Sequence, residues 1–145
     1  VQRVTGPRVE PGAVASIEQL AALQGECRQV YVDPSLVQYA VKLVAATRRP
    51  HSVGLNDLAP MITFGASPRA TINLTEGARA LAMLRGRGYA LPEDMSDLVP
   101  DVLRHRLVLS YEALSEGLTA DDVIIRVMAK VPPPPKPLHH EKLVA

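Results

Sequence analysis

The sequence predicts a small, mainly α-helical bundle, and three observations carry that prediction. Apolar residues recur at helical spacing in several segments, each opened by a capping residue or a proline. The chain is 47% hydrophobic but only 3% aromatic, so its core must be built from Leu, Val, Ile, Ala and Met, a composition that suits packed helices. Its 145 residues fit one domain, and no internal repeat at a solenoid period suggests an array.

Residues 1–13 contain Gly6, Pro7, Pro11 and Gly12 without a sustained period and are read as a linker. Ser16 and Gln19 form a capping-box pattern, and Ile17, Leu20 and Leu23 continue it as a short amphipathic helix expected to end near Gly25. After Val30-Tyr31-Val32, Asp33 is a good N-cap and Pro34 a good first helical residue. Leu36, Tyr39, Ala40, Leu43 and Val44 then form one apolar stripe, stopped by Arg48-Arg49-Pro50. Val53 to Phe64 reads as a short helix or turn that feeds a loop at Gly65.

Ser67 is expected to cap a second strong helix with Pro68 at its first position. Leu74, Ala78, Leu81 and Leu84 lie along one side of it, and Gly86-Arg87-Gly88 ends it. Another helix starts at Pro92-Glu93-Asp94, where two carboxylates meet the positive end of the dipole. Pro100 is expected to split or kink it, with Val102, Leu103 and Arg106 continuing beyond. Leu107 to Tyr111 alternates as a short strand or hairpin. Thr119, Asp121 and Asp122 start the last helix, whose apolar face is Val123, Ile124, Val127, Met128 and Val131. Residues 14–131 are thus the expected domain, and 132–145 a flexible tail whose four leading prolines favour polyproline II.

Composition also narrows function. Sixteen Lys and Arg against 15 Asp and Glu leave a net charge of +1, which gives no general attraction to nucleic acid or anionic membrane. The single Cys27 excludes an internal disulfide framework and suits a reducing, cytoplasmic setting; its expected role is that of a small buried apolar residue. No apolar run approaches a membrane span, and Val1-Gln2-Arg3-Val4 lacks signal-peptide anatomy. Without an initiator Met, the chain reads as a piece of something longer.

No GxxxxGK[ST] phosphate loop occurs, so hydrolysis of a nucleotide by this chain alone is not expected. No metal site is expected either: His51 and His105 are far apart, HExxH is absent, and His139-His140 falls in the tail. No serine, cysteine or carboxylate spacing announces a catalytic set. The segment Gly65-Ala66-Ser67-Pro68-Arg69 is different. It places the unpaired N–H groups of a helix start beside a guanidinium that stays charged at any ordinary pH, an arrangement that suits phosphate. The competing reading is that Arg69 pairs with an acidic neighbour or with water, since the dipole opposes an arginine in a first turn.

Four strings, in order, resemble the C-terminal part of MoxR-type AAA+ ATPases. They are Gln38–Arg48 (QYAVKLVAATR), Gly65–Ala70 (GASPRA), Gly86-Arg87-Gly88-Tyr89 with Pro92-Glu93-Asp94, and Val102–Leu107 (VLRHRL). The resemblance spans about Ser16 to Val131. It implies an AAA+ lid-type bundle beside a nucleotide-binding core, with Arg69 as the sensor-2 arginine that contacts the ATP γ-phosphate and Ala66, Ser67 and Pro68 beside it. It further implies ATP and Mg2+ as cofactors of the full-length protein, none held tightly by this chain alone, and a chaperone-like role in maturing or activating protein complexes. The implied partners are its own AAA+ core, neighbouring subunits of a ring, with a hexamer expected, and a von Willebrand factor A domain protein. Leu91 departs from the pattern, because a capping residue would be better placed before Pro92.

Arg48, Arg79, Arg85, Arg104 and Arg106 are candidates to face ring neighbours, although solvated faces or pairs within the domain account for them more simply. Two other readings stay open: a helical nucleic-acid-binding module, disfavoured by the near-neutral charge and few aromatics, and a protein-interaction module using Met61, Ile62 and Phe64.

Overall fold

The computed structural model describes residues 12–135. Most of the expected linker and most of the expected tail, His139-His140 included, lie outside the described residues. Six α-helices occur among them, in the order α1 (Ile17–Gln29), α2 (Pro34–Arg48), α3 (Arg69–Leu84), α4 (Pro92–Leu103), α5 (Tyr111–Ser115) and α6 (Ala120–Lys130). Two short strands, β1 (Ile62–Phe64) and β2 (Val108–Leu109), pair antiparallel, with Ile62 opposite Leu109 and Phe64 opposite Val108 across a bulge. The mainly helical class and the strand near residue 108 are both as predicted, although the strand's partner lies far back in the sequence.

The core sits where α2, α3, α4 and α6 meet. The predicted stripe of α2, Leu36, Tyr39, Ala40, Leu43 and Val44, is buried. So are Leu74, Ala70, Ala78 and Ala82 of α3, Met95, Val99 and Leu103 of α4, and Val123, Ile124 and Val127 of α6. The alanine-rich face of α3 brings it close to α4, its most extensive partner, and Gly77 would place an added Cβ only 3.0 Å from Leu98 Cδ1. Burying Leu36, Leu43, Leu74 and Leu103 side chains stabilises the bundle by about 1.5–3 kcal/mol each.

Local chemistry fixes the helix starts. Ser16 and Gln19 make the predicted capping box on α1. Asp33 accepts from Ser35 N–H at 2.8 Å to open α2, and Thr119 and Asp122 cap α6 reciprocally. At α4 the cap is made from inside the helix: Asp94 accepts from the Leu91 N–H at 2.7 Å, which removes the need for a capping residue at position 91. Gly86 ends α3 in the left-handed region at φ +73, as predicted from the Gly-Arg-Gly sequence.

Five details differ from the sequence reading. Helix α1 passes through Gly25 to Gln29, since one interior glycine weakens a helix by only about 1 kcal/mol, and none of its residues is buried. Ser67 gives no side-chain cap to α3; Pro68 is already helical, and the Ser67 carbonyl instead accepts from Ala70 N–H at 2.9 Å. Leu84 is 84% exposed at the last residue of α3. Pro100 does not split α4, which runs unbroken to Leu103; burial of Val99 and Leu103 on either side outweighs the one lost N–H. Tyr111 starts α5 rather than ending a strand, with the Ser110 hydroxyl accepting from Ala113 N–H as its cap.

Candidate functional site

The site is assembled at the end of α2. Thr47, wholly buried in the last turn, donates its hydroxyl to the Val44 carbonyl at 2.7 Å and accepts the Ala66 N–H at 3.0 Å. Ala66 is equally buried. Gly65 lies so close to α2 that a Cβ there would sit 2.4 Å from the Thr47 carbonyl oxygen. Its glycine is therefore required by close approach of two backbones and not by a left-handed φ. Together the contacts fasten the Gly65-Ala66 loop to the helix before it.

From that anchor the chain emerges into α3. Pro68 adopts φ −55 and ψ −23, the geometry its ring favours. Ser67, Pro68 and Arg69 are all exposed. The Thr71 N–H donates to the Pro68 carbonyl at 3.1 Å, whereas the N–H groups of Ser67 and Arg69 donate to no acceptor among the described residues. One turn on, the Asn73 side-chain amide lies between the Arg69 carbonyl, 3.3 Å away, and Arg106 Nη2, 2.7 Å away, and it pairs with both when its oxygen is turned toward Arg106. The Arg69 guanidinium has no carboxylate partner among the described residues, so the acidic neighbour of the competing reading is not found there.

The arginines sort into two groups. Arg79 pairs with Glu76, Arg85 with Asp94 and Asp97, Arg87 with Asp94, Arg104 with Asp101 and Asp121, and Arg126 with Asp57. These charges are used within the domain, as the simpler account of Arg79, Arg85 and Arg104 held. Arg28, Arg48, Arg49, Arg69 and Arg106 belong to none of the pairs, and three of them stand beside α3. Arg48 lines an open groove of about 340 Å³ between α2 and α3, together with Val41, Val44, Ala45, Pro68, Thr71 and Ile72. Arg106 reaches Asn73. Three guanidiniums free of carboxylates thus surround the first turns of α3.

A second polar centre holds the opposite end of α3. Asp94 is completely buried and takes two bonds from Arg87, at 2.6 and 2.7 Å, and one from Arg85 at 2.7 Å. Burial by itself would raise its carboxyl pKa; the bonds from Arg87, the Leu91 N–H and Arg85 outweigh burial and hold it below the ordinary aspartate value. Arg85 is raised first by its bond to Asp97 and then by that to Asp94, and Arg87 is raised by its bonds to Asp94. Sequence reasoning missed the roles of Thr47 and Asp94. The available signal for Asp94 is its spacing from Arg85 and Arg87, which also fits a plain helix start.

The other sequence-stated features find ordinary places. Cys27, expected to be buried, is a free thiol only half-buried, because no residue of α1 is fully covered. His105 is exposed and contacts the Asp101 carbonyl. No group of three or more His, Cys, Asp or Glu residues suited to a metal ion forms among the described residues, and no helix among them is long and apolar enough to cross a membrane. Met61 and Ile62 are half-buried, while Phe64 is 67% exposed beside Val108.

Comparison with known proteins agrees with this architecture. The AAA lid domain family matches residues 55–127, about half of the chain and the whole of the Gly65–Arg69 site. Chaperone MoxR1 of Mycobacterium tuberculosis is 43% identical over 88% of the chain and 33% of its own length. Protein MoxR of Paracoccus denitrificans is 37% identical over 72% of the chain and 32% of its own length. A proposed ATPase of Cytophaga hutchinsonii, known from its crystal structure, shares 38% identity at a TM-score of 0.79, covering 81% of this chain and 36% of that one.

The chain belongs to the AAA lid domain family, and within it to the lid region of the MoxR-family AAA+ ATPases. It spans about a third of the length of these relatives.

Proposed function

We propose that this domain is the nucleotide-sensing lid of a MoxR-type AAA+ ATPase with a chaperone-like role, and that Arg69 is its sensor-2 residue, directed at the γ-phosphate of ATP. One observation carries the reading: an exposed arginine without a carboxylate partner stands on a helix start whose approach is fastened to the preceding helix. Most other arginines of α3 and its neighbours are held by carboxylates. The donor set also fits a phosphate: a guanidinium, outward N–H groups and two further guanidiniums near the same turn.

Bound ATP with Mg2+ would supply the γ-phosphoryl group, whose charge is spread over its three equatorial oxygens in the transition state. Arg69 would bind and stabilise that charge through charge-assisted bonds, while Ser67 and Pro68 shape the turn and Ala66 anchors it. The residues that hold Mg2+ would belong to the core domain, together with the phosphate loop. In a ring of such subunits, a hexamer by the resemblance, a weaker Arg69 contact after hydrolysis would free the lid to rotate. Motion of this kind suits the maturation of a partner complex, with a von Willebrand factor A protein as the proposed companion, in the cytoplasm.

Replacing Arg69 by Ala in the full-length protein tests this. Loss of one transition-state donor is expected to lower ATP turnover by about 100-fold. The unfolding midpoint should stay within the range of a surface substitution, about ±0.5 kcal/mol. Turnover within twofold of the unaltered protein would remove Arg69 from the mechanism.

A further inference from the structure

The reading of Arg69 leaves open what fixes its reach, since an exposed side chain on a loop-to-helix junction can point in many directions. Two attachments limit that freedom. Upstream, the buried Thr47 hydroxyl joins the Val44 carbonyl to the Ala66 N–H, and Gly65 closes against the Thr47 backbone. Downstream, the Asn73 amide sits between the Arg69 carbonyl and Arg106 and joins them when its oxygen is turned toward Arg106. The downstream tie uses partly exposed groups. The upstream one has both members wholly buried, so no water can substitute for it.

From this geometry we infer that Thr47 is a positioning residue for Arg69: its hydroxyl locks the Gly65–Pro68 turn onto the end of α2 and so sets where the guanidinium is presented to a phosphate. The hydroxyl suits the task because it donates and accepts at once. Valine would fill the same space but leave the Ala66 N–H buried without an acceptor. Serine would keep both bonds. Thr47 touches no ligand itself; it acts through the backbone of Ala66, three residues before Arg69. Small displacements matter at such a site, because a 1 Å error in placing a catalytic group costs on the order of 100-fold in rate. The inference rests on Arg69 contacting the γ-phosphate.

The test compares Thr47→Val, Thr47→Ser and Arg69→Ala in the full-length protein, measuring affinity for ADP and for a non-hydrolysable ATP analogue alongside amide hydrogen exchange at Ala66. Thr47→Val is expected to speed exchange at Ala66 and to weaken the ATP analogue by about tenfold, with ADP affinity within twofold. Thr47→Ser should match the unaltered protein on all three. A purely structural role for Thr47 would weaken both nucleotides together, and that result would overturn the inference. So would unchanged analogue affinity in Thr47→Val alongside a loss in Arg69→Ala, which would leave the Arg69 reading standing. Unchanged discrimination in Arg69→Ala would overturn the Arg69 reading itself and this inference with it.

Discussion

Asp94 is the residue on which the most polar contacts of the domain converge, and its ionisation gives a direct handle on stability. Its folded pKa lies below the ordinary value, against about 3.9 in an unfolded chain. The stabilisation is therefore fully present above about pH 4 to 5 and is lost as the pH falls through the lower, folded value. Removing the charge by Asp94→Asn should cost about 2 kcal/mol at neutral pH, less than for a fully enclosed pair because Arg85 is well exposed. It should also flatten the decline in unfolding free energy below pH 4. Denaturant titrations of both proteins across pH 2.5 to 7 would show it, and parallel declines would refute the role assigned to Asp94.

At this scale the sequence was legible where chemistry is local. The caps at Ser16, Asp33 and Thr119 each need only the residue and its neighbours two or three positions on, and all three form. Gly65 was legible as a loop but not as a close contact, because its constraint comes from the Thr47 backbone eighteen residues earlier. Thr47 itself looked like one more residue of the α2 string. The Arg85–Asp94–Arg87 centre was hidden for the same reason: three charged residues near a helix start satisfy dipole and pairing arguments alike, and only the folded geometry separates them.

Among the elements, α1 and α2 have similar apolar patterns and opposite fates. Leu36, Leu43 and Val44 of α2 are buried in the core, whereas Ile17 is 82% and Leu20 54% exposed on α1. Periodicity identifies a face; it does not say whether anything covers it. Accordingly, Leu43→Ala is expected to destabilise the domain by about 2–5 kcal/mol, and Leu20→Ala by no more than about 0.5 kcal/mol. Equal losses in urea unfolding would mean that Leu20 is covered as fully as Leu43. The continuous α4 teaches a related lesson. Pro100 removes one backbone bond, but Val99 and Leu103 are held by the core on both sides of it, so tertiary packing overrides the local signal. The β1–β2 pair joins segments more than forty residues apart, a partnership that local alternation cannot specify.

In the whole molecule, the paired arginines brace the bundle, and three of the unpaired ones, Arg48, Arg69 and Arg106, stand near the first turns of α3. Asp94, Asp97, Asp101 and Asp121 occupy Arg85, Arg87 and Arg104, so a net charge of +1 conceals a local excess around Arg48, Arg69 and Arg106. Composition alone therefore excluded a generally basic surface without revealing this local one. Arg69 is carried on a turn fixed to the bundle, so under the proposed function a change in its phosphate contact would be passed to the domain as a whole. The most direct measurement is a structure of the full-length protein with a non-hydrolysable ATP analogue and Mg2+. The account predicts the Arg69 guanidinium about 2.7–2.9 Å from a γ-phosphate oxygen. A γ-phosphate held entirely by other residues, with Arg69 turned away from it, would contradict the account.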